Sequence, residues 1–333
     1  MATELATTRF YFSAGSLSMA PEPRISPFTS PQWMRLHLTS LEAPAIAVLW
    51  AMALAKVNHQ PFLPEFSAAL FLTVWFIYLV NHALAPAETR EPRHLGSRLS
   101  PVSLIILMLL MVSLNGVLAL YHLPAALMAS GMQLCGLVTG YFGIYGSRWN
   151  RALLALAQGS ILMPLVITLT MPNWIAQWLL LTVSLMTISH AWKTSLWFRL
   201  RQKLNKDVAG GLLFSMGCCQ WSQFLRSGDD PVGDWIQYGL LGSLMITNLS
   251  LLSGTSDQRQ RWLKISIGLS LLVLSSQGLK IIGTPQIQLA WACLLGSALL
   301  MLIEKAGKNW SHDSKRTSAD LAIAVPAVAL CVL

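Results

Sequence analysis

The stretch WFIYLVNHALAPAETREPRHLGSR, residues Trp75–Arg98, carries the clearest indication of the fold class. It begins as an uncharged apolar segment, passes through Asn81 and His82, and ends in a loop that contains three arginines. A long apolar run followed by a short basic loop is typical of a helix that crosses a membrane. The same alternation recurs along the rest of the chain, so this stretch is one instance of a repeated pattern.

Composition supports a membrane protein. The chain has 333 residues, of which 54% are hydrophobic and only 11% are charged, and its mean hydropathy is +0.55. About a quarter of the residues of a soluble domain are charged. Because a membrane-spanning helix needs about 20 apolar residues, the long uncharged runs predict an all-α, polytopic membrane helix bundle.

Ten transmembrane helices are predicted. Two of the uncharged runs are long enough for two helices each, and they are divided at Pro124 and at Pro172. We expect the bundle at residues 36–304, after a disordered cytoplasmic arm at 1–35 and before a basic linker with a short apolar C-terminal segment at 305–333. The predicted helices are Leu36–Ala55, Phe66–Ala87, two within Leu99–Ser147, two within Ala152–Trp192, Val208–Leu225, Trp235–Ser256, Ile265–Leu279 and Ile281–Ile303.

Charge orients these helices. If the N-terminus is cytoplasmic, only Lys56, Arg226 and Lys280 fall outside, and 20 of the 23 lysines and arginines fall on the inner side. Such a bias is expected of an inner-membrane protein with its N-terminus in the cytoplasm. The net charge of +9 is therefore interpreted as a topology signal, and a nucleic-acid-binding role is disfavoured.

Polar chemistry concentrates in two predicted cytoplasmic loops, at residues 81–98 and 193–207. Two polar loops above an apolar cavity suit an amphiphile, whose head lies at the surface and whose tail lies among the helices. The predicted helix interiors are nearly free of charge, which disfavours a transporter. Glu42 is the exception, and we interpret it as a carboxylate that reaches the head-group layer.

Four stretches carry a resemblance to a known family: SLEAPAIAVLW (Ser40–Trp50), VWFIYLVNHAL (Val74–Leu84), LNKDVAGGLLFSMG (Leu204–Gly217) and RTSADLAIAVP (Arg316–Pro326). With the helix count and the polar loops after the second and sixth helices, they resemble an uncharacterised branch of the UbiA superfamily of intramembrane prenyltransferases. The resemblance implies a helix bundle that binds an isoprenoid lipid in a cytoplasm-facing cavity. In that family, two aspartate-rich loops hold Mg²⁺ against the diphosphate of a polyprenyl donor.

The aspartate motifs are largely missing. Asn81 matches the first motif, but His82, Ala85 and Thr89 stand at its aspartate positions. In the second motif Asp207 and Gly211 match, whereas lysines stand at positions where acids are expected. Mg²⁺ prefers carboxylate oxygens, so it is implied only if the family chemistry is retained. The weak metal candidates are Glu88, Glu91 and Asp207.

Other side chains in and near the loops are candidates for substrate binding. Cations can bind the phosphates of a prenyl donor directly, and three of them share one face of a predicted helix. A histidine at a helix end can act as an acid or base. The alternative is that the cations set topology and attract lipid, and that the tyrosines are interfacial anchors. The candidates are Asn81, His82, Arg90, Arg93, Tyr141, Arg148, His190, Arg199, Lys203, Lys206 and Asp207.

Two classes of function stay open beside a prenyltransferase or its diverged descendant. One is a non-catalytic membrane protein that binds lipid or acts as a partner subunit. The other is a small-molecule transporter. A prenyltransferase requires the two loops to converge on one pocket, whereas a transporter requires a polar path through the bilayer. No residue is assigned a catalytic role from the sequence.

Overall fold

The computed structural model describes residues 39–84, 95, 99–124, 127, 131, 134–135, 137–138, 141, 205–226, 230–279 and 282–332. These residues form eight α-helices and two short 3₁₀ helices, Ser276–Leu279 and Gly307–Asn309. The α-helices are α1 (Glu42–Val57), α2 (Pro64–Leu84), α3 (Pro101–His122), α4 (Lys206–Arg226), α5 (Pro231–Ser253), α6 (Ser256–Ser275), α7 (Thr284–Ala306) and α8 (His312–Val332).

The all-α prediction is confirmed for the described residues. Helices α1–α7 lie at seven of the ten predicted segments. The other three, between residues 124 and 192, lie outside the described part of the chain apart from scattered positions. Two segments, Pro64–Asn81 and Thr284–Asn309, are long and apolar enough to cross a membrane. The ten crossings therefore stay a prediction.

Local capping fixes where the helices begin. Before α5, the Asp230 carboxylate accepts a hydrogen bond of 2.8 Å from the backbone N–H of Gly233. Before α6, Thr255 and Gln258 form a reciprocal capping box. Before α8, the Ser311 hydroxyl accepts from the backbone N–H of the residue three positions later. Such caps satisfy N–H groups that have no partner within the helix.

Helix α5 lies at the centre of the described bundle. It packs against α4, α6, α7 and α8, while α1 packs against α2, α4 and α8. The core between them is apolar and contains two buried tryptophans, Trp50 and Trp221. These contacts hold α1, α2, α4, α5 and α8 together around a common interior.

Small residues allow the helices to approach closely. A Cβ atom added at Gly211 of α4 would lie 2.7 Å from the backbone nitrogen of Ile246 on α5. Across α5, α6 and α7, the hydroxyls of Ser243, Ser266 and Ser297 form a hydrogen-bonded series, at 3.3 and 2.8 Å. Close packing through glycine and serine is typical of helices in membranes.

Helix α8 differs from the expected basic linker and short apolar segment. It is one 21-residue helix that runs parallel to α1: Trp50 Nε1 donates to the Ile323 carbonyl at 3.1 Å, and Lys56 Nζ donates to the Cys331 carbonyl at 2.8 Å. The polar residues before the apolar run belong to its first turns. An analysis of apolar runs alone therefore places the start of this helix too late.

One face of α3 exposes a continuous apolar surface. Ile106 and Leu109 are each 62% exposed, and a patch of this kind is unfavourable in water. It suits a helix whose outer side meets lipid. The exposed residues of α3 are Val102, Ile105, Ile106, Leu109, Leu110, Val112, Leu114, Val117 and Tyr121.

Candidate functional site

A cavity of about 320 Å³ lies between α1, α2, α4, α5 and α8. Residues of the isolated positions 134, 138 and 141 also line it. Its polar end is where α2 and α5 end and where α4 and α8 begin, because Asn81, Ser253, Lys206 and His312 all belong to its lining. The opposite end is apolar except for Thr73 of α2, whose hydroxyl oxygen accepts a hydrogen bond from Asn115. The lining of the cavity therefore changes from polar to apolar along the helix axes.

The first turn of α4 supplies two of the polar side chains, Lys206 and Asp207. Asn205 precedes this helix, and its side-chain oxygen accepts a hydrogen bond of 2.8 Å from the backbone N–H of Asp207. The Asp207 carboxylate in turn accepts a hydrogen bond from the Ser253 hydroxyl at the end of α5. These two bonds fix the aspartate at the mouth of the cavity.

Helix α8 contributes a polar stripe. His312, Arg316 and Asp320 follow one another at a spacing of four residues, so they share one face of the helix, and all three line the cavity. Asp320 is eight residues beyond His312, which places it ~12 Å deeper along the helix axis. Asn248 of α5 donates from Nδ2 to the Asp320 carboxylate at 2.9 Å. This side of the cavity therefore carries charge below its mouth.

Tyr78 completes this deeper polar layer. Its hydroxyl lies within electrostatic reach of Arg316, Asp320 and Glu42. Glu42 is only 2% exposed, so its interpretation as a carboxylate that reaches the head-group layer is wrong. Its position in the first turn of α1 places it next to Ala43, which lines the cavity. The carboxylate belongs to the buried polar layer around the site.

Apolar side chains line the rest of the cavity. Most come from the inner turns of the same helices, but Leu249 and Leu252 lie between Asn248 and Ser253 on α5, near the mouth. Phe214 of α4 and Met245 of α5 are examples, and a Cβ atom at Gly217 of α4 would lie 3.7 Å from Leu70 of α2. The apolar lining consists of Ala43, Ile46, Leu70, Val74, Ile77, Leu134, Val138, Leu213, Phe214, Met245, Leu249, Leu252 and Ile323.

Four of the predicted binding residues meet in this cavity: Asn81, Tyr141, Lys206 and Asp207. His82 lies in the last turn of α2, but its side chain is not part of what the structure describes. The other predicted residues lie outside the described ranges. They are Glu88, Arg90, Glu91, Arg93, Arg148, His190, Arg199 and Lys203.

The described residues do not fit the Mg²⁺ that the resemblance implies. Within the ranges given above, no group of three or more His, Cys, Asp or Glu side chains could hold a metal ion. The two carboxylates of the cavity are engaged elsewhere, since Asp207 accepts from Ser253 and Asp320 accepts from Asn248. Two cationic side chains, Lys206 and Arg316, also line the cavity.

Seven polar residues of the site were not predicted as site residues. Arg316 and Asp320 lie in a stretch quoted for the resemblance, and an ionisable residue at the start of an apolar run is a signal of function in a membrane protein. Asn248 and Ser253 are uncharged and lie in an apolar helix, so only their three-dimensional neighbours reveal them. The seven are Thr73, Tyr78, Asn248, Ser253, His312, Arg316 and Asp320.

No protein-family model, curated protein or solved structure matches this chain.

Proposed function

We propose that this chain is an integral membrane protein of the UbiA-like type whose cavity binds a phosphorylated amphiphile. A polyprenyl phosphate or diphosphate is the ligand that the sequence resemblance implies. One observation carries the proposal: Asn81, from the last turns of α2, and Lys206 and Asp207, from the first turn of α4, line the same cavity. The head of the ligand would lie at the polar end and its chain among the apolar side chains.

The charges at the polar end support phosphate binding. Lys206 and Arg316 provide an ammonium and a guanidinium group, both of which bind phosphate well. Because no metal-binding group occurs in the described part of the chain, these cations take the neutralising role in the proposal. A cavity of about 320 Å³ is at the lower end of the range for ligand pockets. It therefore suits a head group with the first part of a chain.

The proposed topology is ten membrane crossings in the bacterial inner membrane, with the cavity open to the cytoplasm. The polar end adjoins the end of α2, the beginning of α4, the end of α5 and the beginning of α8. The segments beyond these four helix ends are the ones that the distribution of lysine and arginine assigns to the cytoplasmic side. The common position of the four ends supports this orientation.

The test is to identify the lipid that co-purifies with the protein. Wild-type protein, Lys206→Gln and Lys308→Gln are purified in the same detergent, and the bound lipid is extracted and identified by mass spectrometry. Lys308 is an exposed lysine outside the cavity lining, so it is the matched control. We expect a polyprenyl phosphate in the wild-type and Lys308→Gln samples and its loss from Lys206→Gln. Bulk phospholipid alone, unchanged in all three samples, would contradict the proposal.

A further inference from the structure

One face of α6 is basic near the beginning of the helix and apolar further along. Arg261 and Lys264 are both exposed, and their spacing places them on the same face as the exposed Ile265 and Leu272. The opposite face packs into the bundle through buried residues such as Ser266. We call the exposed face the α6 surface. It consists of Arg261, Lys264, Ile265, Gly268, Leu271 and Leu272.

The two cations of the α6 surface have no partner within the part of the chain that the structure describes. Arg259, on the other side of the helix, forms an ion pair with Glu304 of α7, with 3.1 Å between Nε and Oε1. Neither Arg261 nor Lys264 forms a side-chain hydrogen bond or an ion pair there. Like charges this close on one helix face repel each other. The α6 surface therefore attracts an anion.

The length of the apolar part of α6 sets the height of these cations in a membrane. This part and the 3₁₀ helix that follows run from Ile265 to Leu279, which is 15 residues and ~22–25 Å of helix. The hydrocarbon of a bilayer is about 30 Å thick. In the proposed orientation, Lys264 therefore lies at the cytoplasmic boundary of the hydrocarbon, and its ammonium group reaches the head-group layer.

Beyond the cations, the α6 surface offers room for an acyl chain. Leu271 and Leu272 are 50% and 65% exposed. Gly268 lies between them and Ile265, and a Cβ atom added there would meet nothing within 4 Å. A chain can therefore contact the backbone of α6 at Gly268 and the apolar side chains on either side of it. The surface matches both parts of a phospholipid, its phosphate and its chain.

We infer that the α6 surface binds an anionic phospholipid of the cytoplasmic leaflet, whose phosphate contacts Arg261 and Lys264 and whose chain lies along the apolar turns that follow. Charge complementarity favours this occupant, because that leaflet carries the anionic lipids and both cations bind phosphate well. A second copy of the chain is disfavoured, since a two-fold dimer in one membrane would bring the same cations together. The inference takes only the membrane orientation from the proposed function, because none of these residues lines the cavity.

Two lipids with identical chains test the inference. The full-length protein is purified in detergent, delipidated, and titrated with dioleoylphosphatidylglycerol or with dioleoylphosphatidylcholine. Native mass spectrometry gives the Kd of the first lipid bound. Both lipids carry one phosphate, but the choline lipid also carries a cation, which Arg261 and Lys264 repel. We expect the wild-type protein to bind phosphatidylglycerol about tenfold more tightly than phosphatidylcholine.

Two double variants connect this preference to its residues. Arg261→Gln with Lys264→Gln is expected to bind phosphatidylglycerol about tenfold more weakly and to keep the affinity for phosphatidylcholine within about twofold. Lys305→Gln with Lys308→Gln is the matched control, because both lysines are exposed and the same charge is removed from the end of α7 and the turn after it. The control is expected to keep the preference of the wild type.

Four results would overturn the inference. The first is equal affinity of the wild-type protein for the two lipids, which needs no variant to be folded. The second is an equal loss of preference in both double variants, because the preference would then follow net charge. The third is loss of the preference in Lys206→Gln, which would place phosphatidylglycerol in the cavity. The fourth is a dimer in the spectra that Arg261→Gln with Lys264→Gln removes, which would assign the surface to a second copy.

The proposed function fails by a different result, the absence of a polyprenyl phosphate from the purified wild-type protein. The preference for phosphatidylglycerol is measured on delipidated protein and on residues outside the cavity lining. Each of the two proposals can therefore fail while the other stands.

Discussion

Replacing Gly211 by alanine is expected to destabilise the contact between α4 and α5, which carry Asp207 and Asn248. A Cβ atom at this position would lie 2.6 Å from Cγ1, 2.7 Å from the backbone nitrogen and 3.0 Å from Cα of Ile246. Two of these three atoms belong to the backbone of α5, so a change of side-chain rotamer cannot relieve the clash. The two helices must move apart.

The size of the effect follows from two opposing contributions. Overpacking of this kind costs about 1–3 kcal/mol, while alanine is favoured over glycine within a helix by about 1 kcal/mol. A comparison with Gly268 of α6 separates the two contributions, because Gly268 is exposed and an added Cβ would meet nothing within 4 Å. Gly268→Ala therefore has only the favourable contribution. We expect the free energies of unfolding of the two variants to differ by about 2 kcal/mol.

Thiol reactivity provides the measurement. Cys218, Cys219 and Cys293 are buried, so a fluorogenic maleimide labels them only when the bundle opens. On heating with this reagent, Gly211→Ala should unfold roughly 4–8 °C below Gly268→Ala. If Gly211→Ala unfolds at the same temperature as Gly268→Ala or above it, the close approach of α4 to α5 is wrong, and the geometry of the cavity mouth is wrong with it.

Three further predictions concern the caps, the core and the ligand. Thr255→Ala removes the hydroxyl of the capping box with Gln258 and should lower the free energy of unfolding by about 1 kcal/mol. An unchanged melting temperature would show that this cap does not stabilise the helix. Trp221→Phe keeps the stacking on Phe66 but loses the 2.8 Å hydrogen bond from Nε1 to the Pro61 carbonyl. The free energy of unfolding is expected to fall by about 1 kcal/mol. A melting temperature equal to that of the wild type would show that this bond contributes nothing. EDTA should leave the affinity for geranylgeranyl phosphate unchanged in calorimetry, since Lys206 and Arg316 are proposed to bind the phosphate. A large loss of affinity would instead indicate a metal.

The mouth of the cavity is the part of the site that the sequence predicts well. Asn81 and Asp207 lie where an apolar run meets a polar segment of the sequence. A boundary of this kind can be recognised from the sequence alone. Lys206 is found in the same way, because the distribution of cations along the chain marks the side on which the loops lie. For these residues, position along the chain and position in the cavity agree.

The deeper layer could not be predicted in the same way, for two physical reasons. Asp320 and Arg316 belong to a helix that starts with polar residues and is capped by Ser311, so a search for uncharged runs excludes them. Asn248 is an uncharged polar residue within an apolar helix, where amides also serve as interhelical contacts. Its hydrogen bond to Asp320 depends on α8, which is distant in sequence and becomes its neighbour only in the fold.

The position of the ligand chain within the cavity tests the proposed function. Geranylgeranyl phosphate with a diazirine at the end of its chain is photolysed with the full-length protein in nanodiscs, and the labelled residues are mapped by mass spectrometry. We predict labels at the apolar end of the cavity, on Leu70, Phe214 or Met245, that disappear with excess unlabelled geranylgeranyl phosphate. Labels that are confined to the exposed face of α3, at Ile105 and Leu109, and unaffected by the competitor would contradict binding of the chain in the cavity.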